Sequence, residues 1–329
     1  MPKTLKLTLT ALAALAFSAG ALAAEYTMRL SHQYPPTHQV AKALEQFAAV
    51  VEKNTEGKVD VQVFGANQLF KPNQNHAAVA SGQIESAAIL NFQWGGTIPE
   101  MSATSIPFLM TSAAALKKFP ASEAARLLNA KLEEKGVHNI AWMVDANDGI
   151  FTSAKKALIA PADFNGIKIR GLNKLFDAGL RAMGASPTSM PGSELYQALQ
   201  TGVIDAGFTG VDAAYSRRFY EVQKFGAASP IISVYSNLVV NPAWWAKLPE
   251  ALKRGVLSAA GQAEAILLPQ TDEIPAASIQ QLRDKGMDVT VLSKAQQDAL
   301  AAVMQPAVIK AFVDSSPDGI KLIELIKKL

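Results

Sequence analysis

At 329 residues the chain is too long for one ordinary core and suits two lobes. With 49% hydrophobic and 18% charged residues it can bury sizeable cores. Setting aside Lys3 and Lys6 of the leading segment from the 31 basic residues leaves 29 against 28 acidic ones, a near-neutral body that argues against a nucleic-acid partner. The absence of cysteine excludes disulfides and thiol chemistry and leaves stability to core packing.

Residues 1–23 read as a signal peptide. Lys3 and Lys6 precede a Leu/Ala/Thr run to Ala19, and Ala21-Leu22-Ala23 has the small-residue pattern of a cleavage site after Ala23. That implies export to a periplasm. An uncleaved membrane anchor is the weaker reading, because the apolar run is short and ends in small residues. Tyr26 to Leu30 then alternates as a strand ending at Ser31-His32-Gln33. Past Pro35-Pro36, Thr37 is placed to cap a helix through Val40, Leu44, Phe47, Val50 and Val51 that stops near Gly57. Val59, Val61 and Val63 alternate as the next strand, ending at Phe64 to Phe70. A helix over Asn75 to Ala80 and a third strand, Ala87 to Leu90, lead into Asn91-Phe92-Gln93-Trp94.

The second half repeats this order. Ile167 to Ile169 forms a strand delivering Arg170 to a glycine, followed by a helix over Asn173 to Met183, a short strand near Pro187 to Met190, and a helix capped by Ser193 over Glu194 to Gln200. A local echo links the halves: Ser81-Gly82-Gln83-Ile84-Glu85 matches Thr201-Gly202-Val203-Ile204-Asp205, with glycine past a helix end where a left-handed residue is wanted. Between the halves, Ile140 to Val144 leads into Asp145-Ala146-Asn147-Asp148-Gly149 as a first crossing, and Ile231 to Val240 makes a second. Pro249 to Gly286 follows a helical pattern that Pro269 and Pro275 should kink or break. The tail adds a strand, Asp288 to Leu292, and helices capped by Ser293 and by Ser316 or Asp318.

The fold class expected is therefore α/β: a two-lobed, periplasmic-binding-protein-like fold with hinge strands crossing between lobes and a long kinked helix. Lobe I comprises residues 24–147 plus about 232–270, and lobe II residues 148–231 plus about 271–329. In open α/β sheets ligands bind at the carboxyl ends of strands, so Arg170 reads as a ligand hook.

Two stretches carry a family resemblance. Asp163-Phe164-Asn165-Gly166-Ile167-Lys168-Ile169-Arg170 and Met190-Pro191-x-Ser193-Glu194-x-Tyr196-x-Ala198-Leu199-Gln200-Thr201-Gly202-x-Ile204-Asp205 resemble motifs of the solute-binding subunits of tripartite ATP-independent periplasmic (TRAP) transporters, the DctP-like family. Asn67-Gln68-Leu69, Ile106-Pro107-Phe108-Leu109, Tyr220 to Lys224 and Trp245-x-x-Leu248-Pro249 add weaker matches. The resemblance implies lobes that close on a small organic acid anion and present it to TRAP membrane permease subunits, with Arg170 pairing the ligand carboxylate. Guanidinium chemistry agrees, since its planar two-donor fork matches a carboxylate. The chain departs from many relatives at Asp148-Gly149-Ile150-Phe151, where they carry a second arginine, and at Gly207-Phe208-Thr209-Gly210, where they carry an asparagine. On this reading Arg170 is the main charge partner of a ligand with a less polar remainder.

The other candidate ligand contacts lie near strand ends and the crossing: His32, Gln68, Phe70, Asn91, Phe92, Trp94, Asp148, Phe208 and Thr209. Trp244 and Trp245 read as helix anchors, and Arg217, Arg218 and Lys224 as a solvated basic face. His32 and His38 lack a third ligand at metal spacing, so neither metal nor cofactor is expected. No G-x-S-x-G, H-E-x-x-H, phosphate-loop or dinucleotide motif occurs. The function expected is solute capture for transport by a monomer. A ligand sensor for a membrane kinase is the alternative, and an enzyme acting on an acidic substrate a weaker one.

Overall fold

The computed structural model describes residues 24–329, apart from the side chains of residues 272–274; the signal-peptide reading lies outside the described residues. In chain order the strands are β1 (Tyr26–Ser31), β2 (Val59–Phe64), β3 (Ser86–Leu90), β4 (His138–Ala146), β5 (Gly149–Ser153), β6 (Lys168–Gly171), β7 (Ser186–Ser189), β8 (Ala206–Thr209), β9 (Phe225–Ser229), β10 (Val234–Val240) and β11 (Asp288–Val291). The helices are α1 (Gln39–Asn54), α2 (Asn75–Ala80), α3 (Ala113–Lys118), α4 (Glu123–Glu134), α5 (Lys174–Ala182), α6 (Gly192–Gln200), α7 (Val211–Ser216), α8 (Pro242–Lys247), α9 (Glu250–Leu267), α10 (Gln270–Asp284), α11 (Lys294–Ser315) and α12 (Gly319–Lys327).

The strands form two separate sheets, in the orders β2-β1-β3-β10-β4 and β11-β9-β5-β8-β6-β7. Each is parallel except where a crossing enters. The chain leaves the first sheet at β4 and enters the second as β5, antiparallel to β8 and β9; it returns from β9 to β10, antiparallel to β3 and β4. The crossings are thus residues 147–148 and 230–233. They are tied together, because Ser233 Oγ lies 3.0 Å from Asn147 Oδ1, while Asn147 Nδ2 donates to the Thr111 carbonyl.

Helices cover both sheets as the apolar periodicity requires. Val40, Leu44, Phe47 and Val51 of α1 and Leu252, Val256, Ala259 and Ala263 of α9 are buried where those helices pack on each other and on the first sheet. Strand β3 is buried along its whole length, which explains a near-continuous apolar run rather than alternation. The long helical stretch breaks at Leu268-Pro269 between α9 and α10, while Pro275 sits inside α10.

Several local expectations shift. His38, not Thr37, caps α1, its Nδ1 accepting from the Val40 N–H at 3.2 Å. Helix α6 starts at Gly192 with Pro191 as its cap, so Ser193 falls inside the first turn and not at the cap, and its hydroxyl makes no hydrogen bond among the described residues. Helix α12, read from sequence as part of the second lobe, packs on α4 and on the 99–105 turn of the first, with Leu322, Ile323 and Ile326 buried.

Candidate ligand-binding cleft

Strand β6 carries Lys168 exposed at its start and Arg170 buried near its end, 2% exposed. Two backbone carbonyls aim the guanidinium. Its Nε donates to the Met190 carbonyl at 3.0 Å and its Nη1 to the Phe208 carbonyl at 2.6 Å. Nη2 makes no hydrogen bond among the described residues. Asp177 is the nearby counter-charge; its carboxylate accepts from the Ser189 hydroxyl at 2.7 Å and lies over Gly171, where a Cβ would sit 1.5 Å from Oδ1. Burial lowers the Arg170 pKa to about 9, with Arg217 adding to the effect, so the group stays a cation at neutral pH.

Arg170 opens into a small cavity between the sheets. Tyr34, Leu90, Phe92, Asp145, Ala146 and Val234 line it from the first lobe, Ile232 from the crossing, and Leu172, Gly192, Phe208, Thr209, Gly210, Ala213 and Arg217 from the second. Its volume is about 30 Å³. It adjoins a cavity lined by Asp145, Asp148 and Asp212, which shares Gln39, Asp212 and Gln270 with an open groove of about 680 Å³. That groove is the larger, but Lys42, Gln46, Arg218 and Gln281 on its walls mark it as a solvated mouth; the buried guanidinium and unpaired polar atoms are in the small cavity. Across the cleft, Asn173 caps α5 with its Oδ1 and donates from Nδ2 to the Phe92 carbonyl and Ser102 Oγ at 3.1 and 2.8 Å, joining the lobes.

Of the candidate contacts, Phe92, Phe208 and Thr209 meet Arg170 around this cavity, and Asp148 lies in the adjoining one, its Oδ1 accepting from the Val211 N–H. The others do not line it. Asn91 spends its amide inside the first lobe, on the Met101 carbonyl, Thr104 and Ser105, and accepts from the Tyr235 N–H. The Trp94 ring packs 4.6 Å from His76 in the core. His32 Nδ1 accepts from the Tyr34 N–H, and burial lowers its pKa to about 4, which keeps the ring neutral. Gln68 is exposed, and Phe70 packs against the first-lobe core.

Residues 30–314 match the family described as bacterial extracellular solute-binding protein, family 7, or DctP. The chain belongs to this family. It is 31% identical over 274 residues to the C4-dicarboxylate-binding periplasmic protein DctP of Rhodobacter capsulatus, covering 83% of this chain and 82% of that protein. Among solved structures, a TRAP periplasmic solute-binding protein from Desulfovibrio salexigens with bound orotic acid superposes with a TM-score of 0.87 at 27% identity, covering 92% of this chain and 98% of that one. One from Sulfurospirillum deleyianum with bound succinate gives 0.85 at 26% identity, covering 92% and 100%.

Within this family member the cleft holds groups that sequence reasoning missed. Arg217, read as part of a solvated face, instead lines the cavity with Arg170. Gly210 and Arg217 cap α7 on either side of Ala213, and their i, i+3, i+7 spacing, which puts all three on the cavity side, was the available signal. Arg218, one residue on, points outward and pairs with Glu221. The Arg217 guanidinium lies against Gly192, where a Cβ would come within 2.6 Å of Nη1. Tyr34 and Asp145 complete this side. The two influence each other's protonation, yet neither the Tyr34 hydroxyl nor Asp145 Oδ2 completes a hydrogen bond of ordinary geometry. Burial raises Asp145 to about 6 and Asp148 to about 7. Asp212, with its Oδ1 3.6 Å from His38 Nε2, is pushed well above the carboxylate range by burial, while burial holds His38 well below its ordinary value.

Proposed function

We propose that the protein, exported by its leading segment, captures a small organic acid by its carboxylate between the lobes and delivers it to TRAP membrane permease subunits. One observation carries this reading: the buried Arg170 guanidinium is fixed by two carbonyls, has no acceptor on Nη2 among the described residues, and lines a cavity between the lobes. A buried cation with spare donors favours an anionic partner, and charge-assisted hydrogen bonds contribute roughly 1.5–3 kcal/mol each. Phe92, Phe208 and Thr209 would flank the bound acid. The comparisons agree, since the relatives bind C4-dicarboxylates, orotic acid and succinate.

Entry requires the lobes to part. A space of about 30 Å³ has room on the order of one water, less than any organic acid. Hinging at residues 147–148 and 230–233 would open it, and closure would restore the Asn173 contacts. Calorimetric titration with lactate, malate and succinate, each beside its amide, tests the reading. At least one acid should bind while its amide does not; equal binding of acid and amide would overturn carboxylate capture.

A further inference from the structure

The cavity offers a second polar pole besides Arg170, made by Arg217, Tyr34 and Asp145. The Arg217 guanidinium makes no hydrogen bond among the described residues and no ion pair within 4 Å, although Asp145 and Asp212 are its nearby counter-charges. The Tyr34 hydroxyl, on a residue 1% exposed, and Asp145 Oδ2 are buried side by side, and neither completes a hydrogen bond of ordinary geometry. These are three different capacities. Guanidinium only donates, carboxylate only accepts, and phenol does both.

The rest of the lining sets the charge balance. Two cations and one anion line the cavity, so its walls carry one net positive charge, with Asp177 behind Arg170 and outside the lining. Leu90, Phe92, Leu172, Ile232 and Val234 provide no further polar contact. A second ligand carboxylate at this pole would be held against Asp145 in a desolvated space, with no free counter-charge beyond Arg217 to offset the repulsion. A ligand hydroxyl meets no such conflict, because it donates to Asp145 and accepts from Arg217 or Tyr34.

Resting on the carboxylate-capture reading, we infer that the solute is a monocarboxylate bearing a hydrogen-bond donor such as a hydroxyl, and that Asp145, Tyr34 and Arg217 select it over dicarboxylates. Asp145 is the discriminating residue. Arg217, held against the bare backbone of Gly192, supplies the donor that keeps the ligand hydroxyl turned toward Asp145.

Calorimetry with butanoate, 2-hydroxybutanoate, 4-hydroxybutanoate and succinate tests this on the full mature protein. The better hydroxy acid should bind at least tenfold tighter than butanoate and than succinate. Asp145→Ala should bring the hydroxy acid within about threefold of butanoate, and Asp145→Asn should improve succinate relative to wild type. Tyr34→Phe keeps the ring and should trim the hydroxy-acid preference alone, which separates selection from misfolding; melting curves of each variant confirm the fold. Succinate binding tightest to wild type, a hydroxy-acid preference that survives Asp145→Ala, or no binding by any of the four acids would overturn the inference. Arg170→Ala distinguishes the levels. If it leaves affinities unchanged, carboxylate capture itself fails; if it abolishes binding while Asp145→Ala changes no ratio, only the selection by Asp145 fails.

Discussion

Asn91 and Arg170 are both buried polar residues at the ends of strands, one in each lobe, 0% and 2% exposed. They differ in what remains unspent. The Asn91 side chain is consumed by the Met101 carbonyl, two hydroxyls and the Tyr235 N–H, so it stitches β3 and β10 to the 99–105 turn. Arg170 gives Nε and Nη1 to carbonyls and keeps Nη2 for the cavity. Burial therefore does not separate a polar group whose hydrogen bonds are all satisfied from one with capacity to spare; residual hydrogen-bonding capacity does, and it marks the proposed ligand partner.

That contrast can be broken experimentally. The largest stability effect is expected from Asn91→Ala, which strands the buried Tyr235 N–H; chemical denaturation should show a loss of about 2–4 kcal/mol while calorimetry finds acid affinity within about twofold. A large affinity loss there would put Asn91 among the ligand contacts. Gly171→Ala attacks the other lobe by driving Asp177 off the strand that carries Arg170. A destabilisation of about 1–3 kcal/mol is expected together with weaker acid binding, and intact affinity would show that Arg170 is positioned without Asp177.

A smaller, pH-dependent effect belongs to Asp148. Its folded pKa of about 7 lies above the unfolded value, so its contribution is fully present below the ordinary aspartate pKa and is lost as pH rises through 7. Asp148→Asn keeps an acceptor for the Val211 N–H and escapes that loss. Melting curves should show the variant gaining on the order of 1–2 kcal/mol over wild type at pH 8 relative to pH 4; a gain that shrinks with rising pH would refute the assignment. The smallest effect is at exposed Gln68, where alanine should change affinity and stability by less than about 0.5 kcal/mol.

Much of the fold was legible because periodicity, glycine stops and prolines act locally. Helix α2 and the starts of β2 and β11 follow from the apolar pattern and its punctuation. Arg170 was legible for a related reason, as a charge at the end of an apolar strand ahead of a glycine. Asn91, Trp94 and His32 were placed in the cleft by the same strand-end logic, which says where a residue sits but not which neighbours satisfy it. Partners such as Tyr235, 144 positions away, are set by tertiary packing. Arg217 was hidden for the opposite reason. Beside Arg218 it reads as a surface pair, and only the end of α7, with Arg217 as its cap and Arg218 turned into the left-handed region, sends one into the cavity and the other to solvent.

The most direct test of Arg170 as the carboxylate partner is calorimetry of one organic acid that binds wild type, repeated on Arg170→Ala, with unliganded melting temperature recorded for both. Affinity should fall by about a hundredfold or more, consistent with losing a buried charge-assisted partner worth several kcal/mol, while the variant still melts cooperatively near the wild-type temperature. Unchanged affinity in a folded Arg170→Ala protein would contradict it.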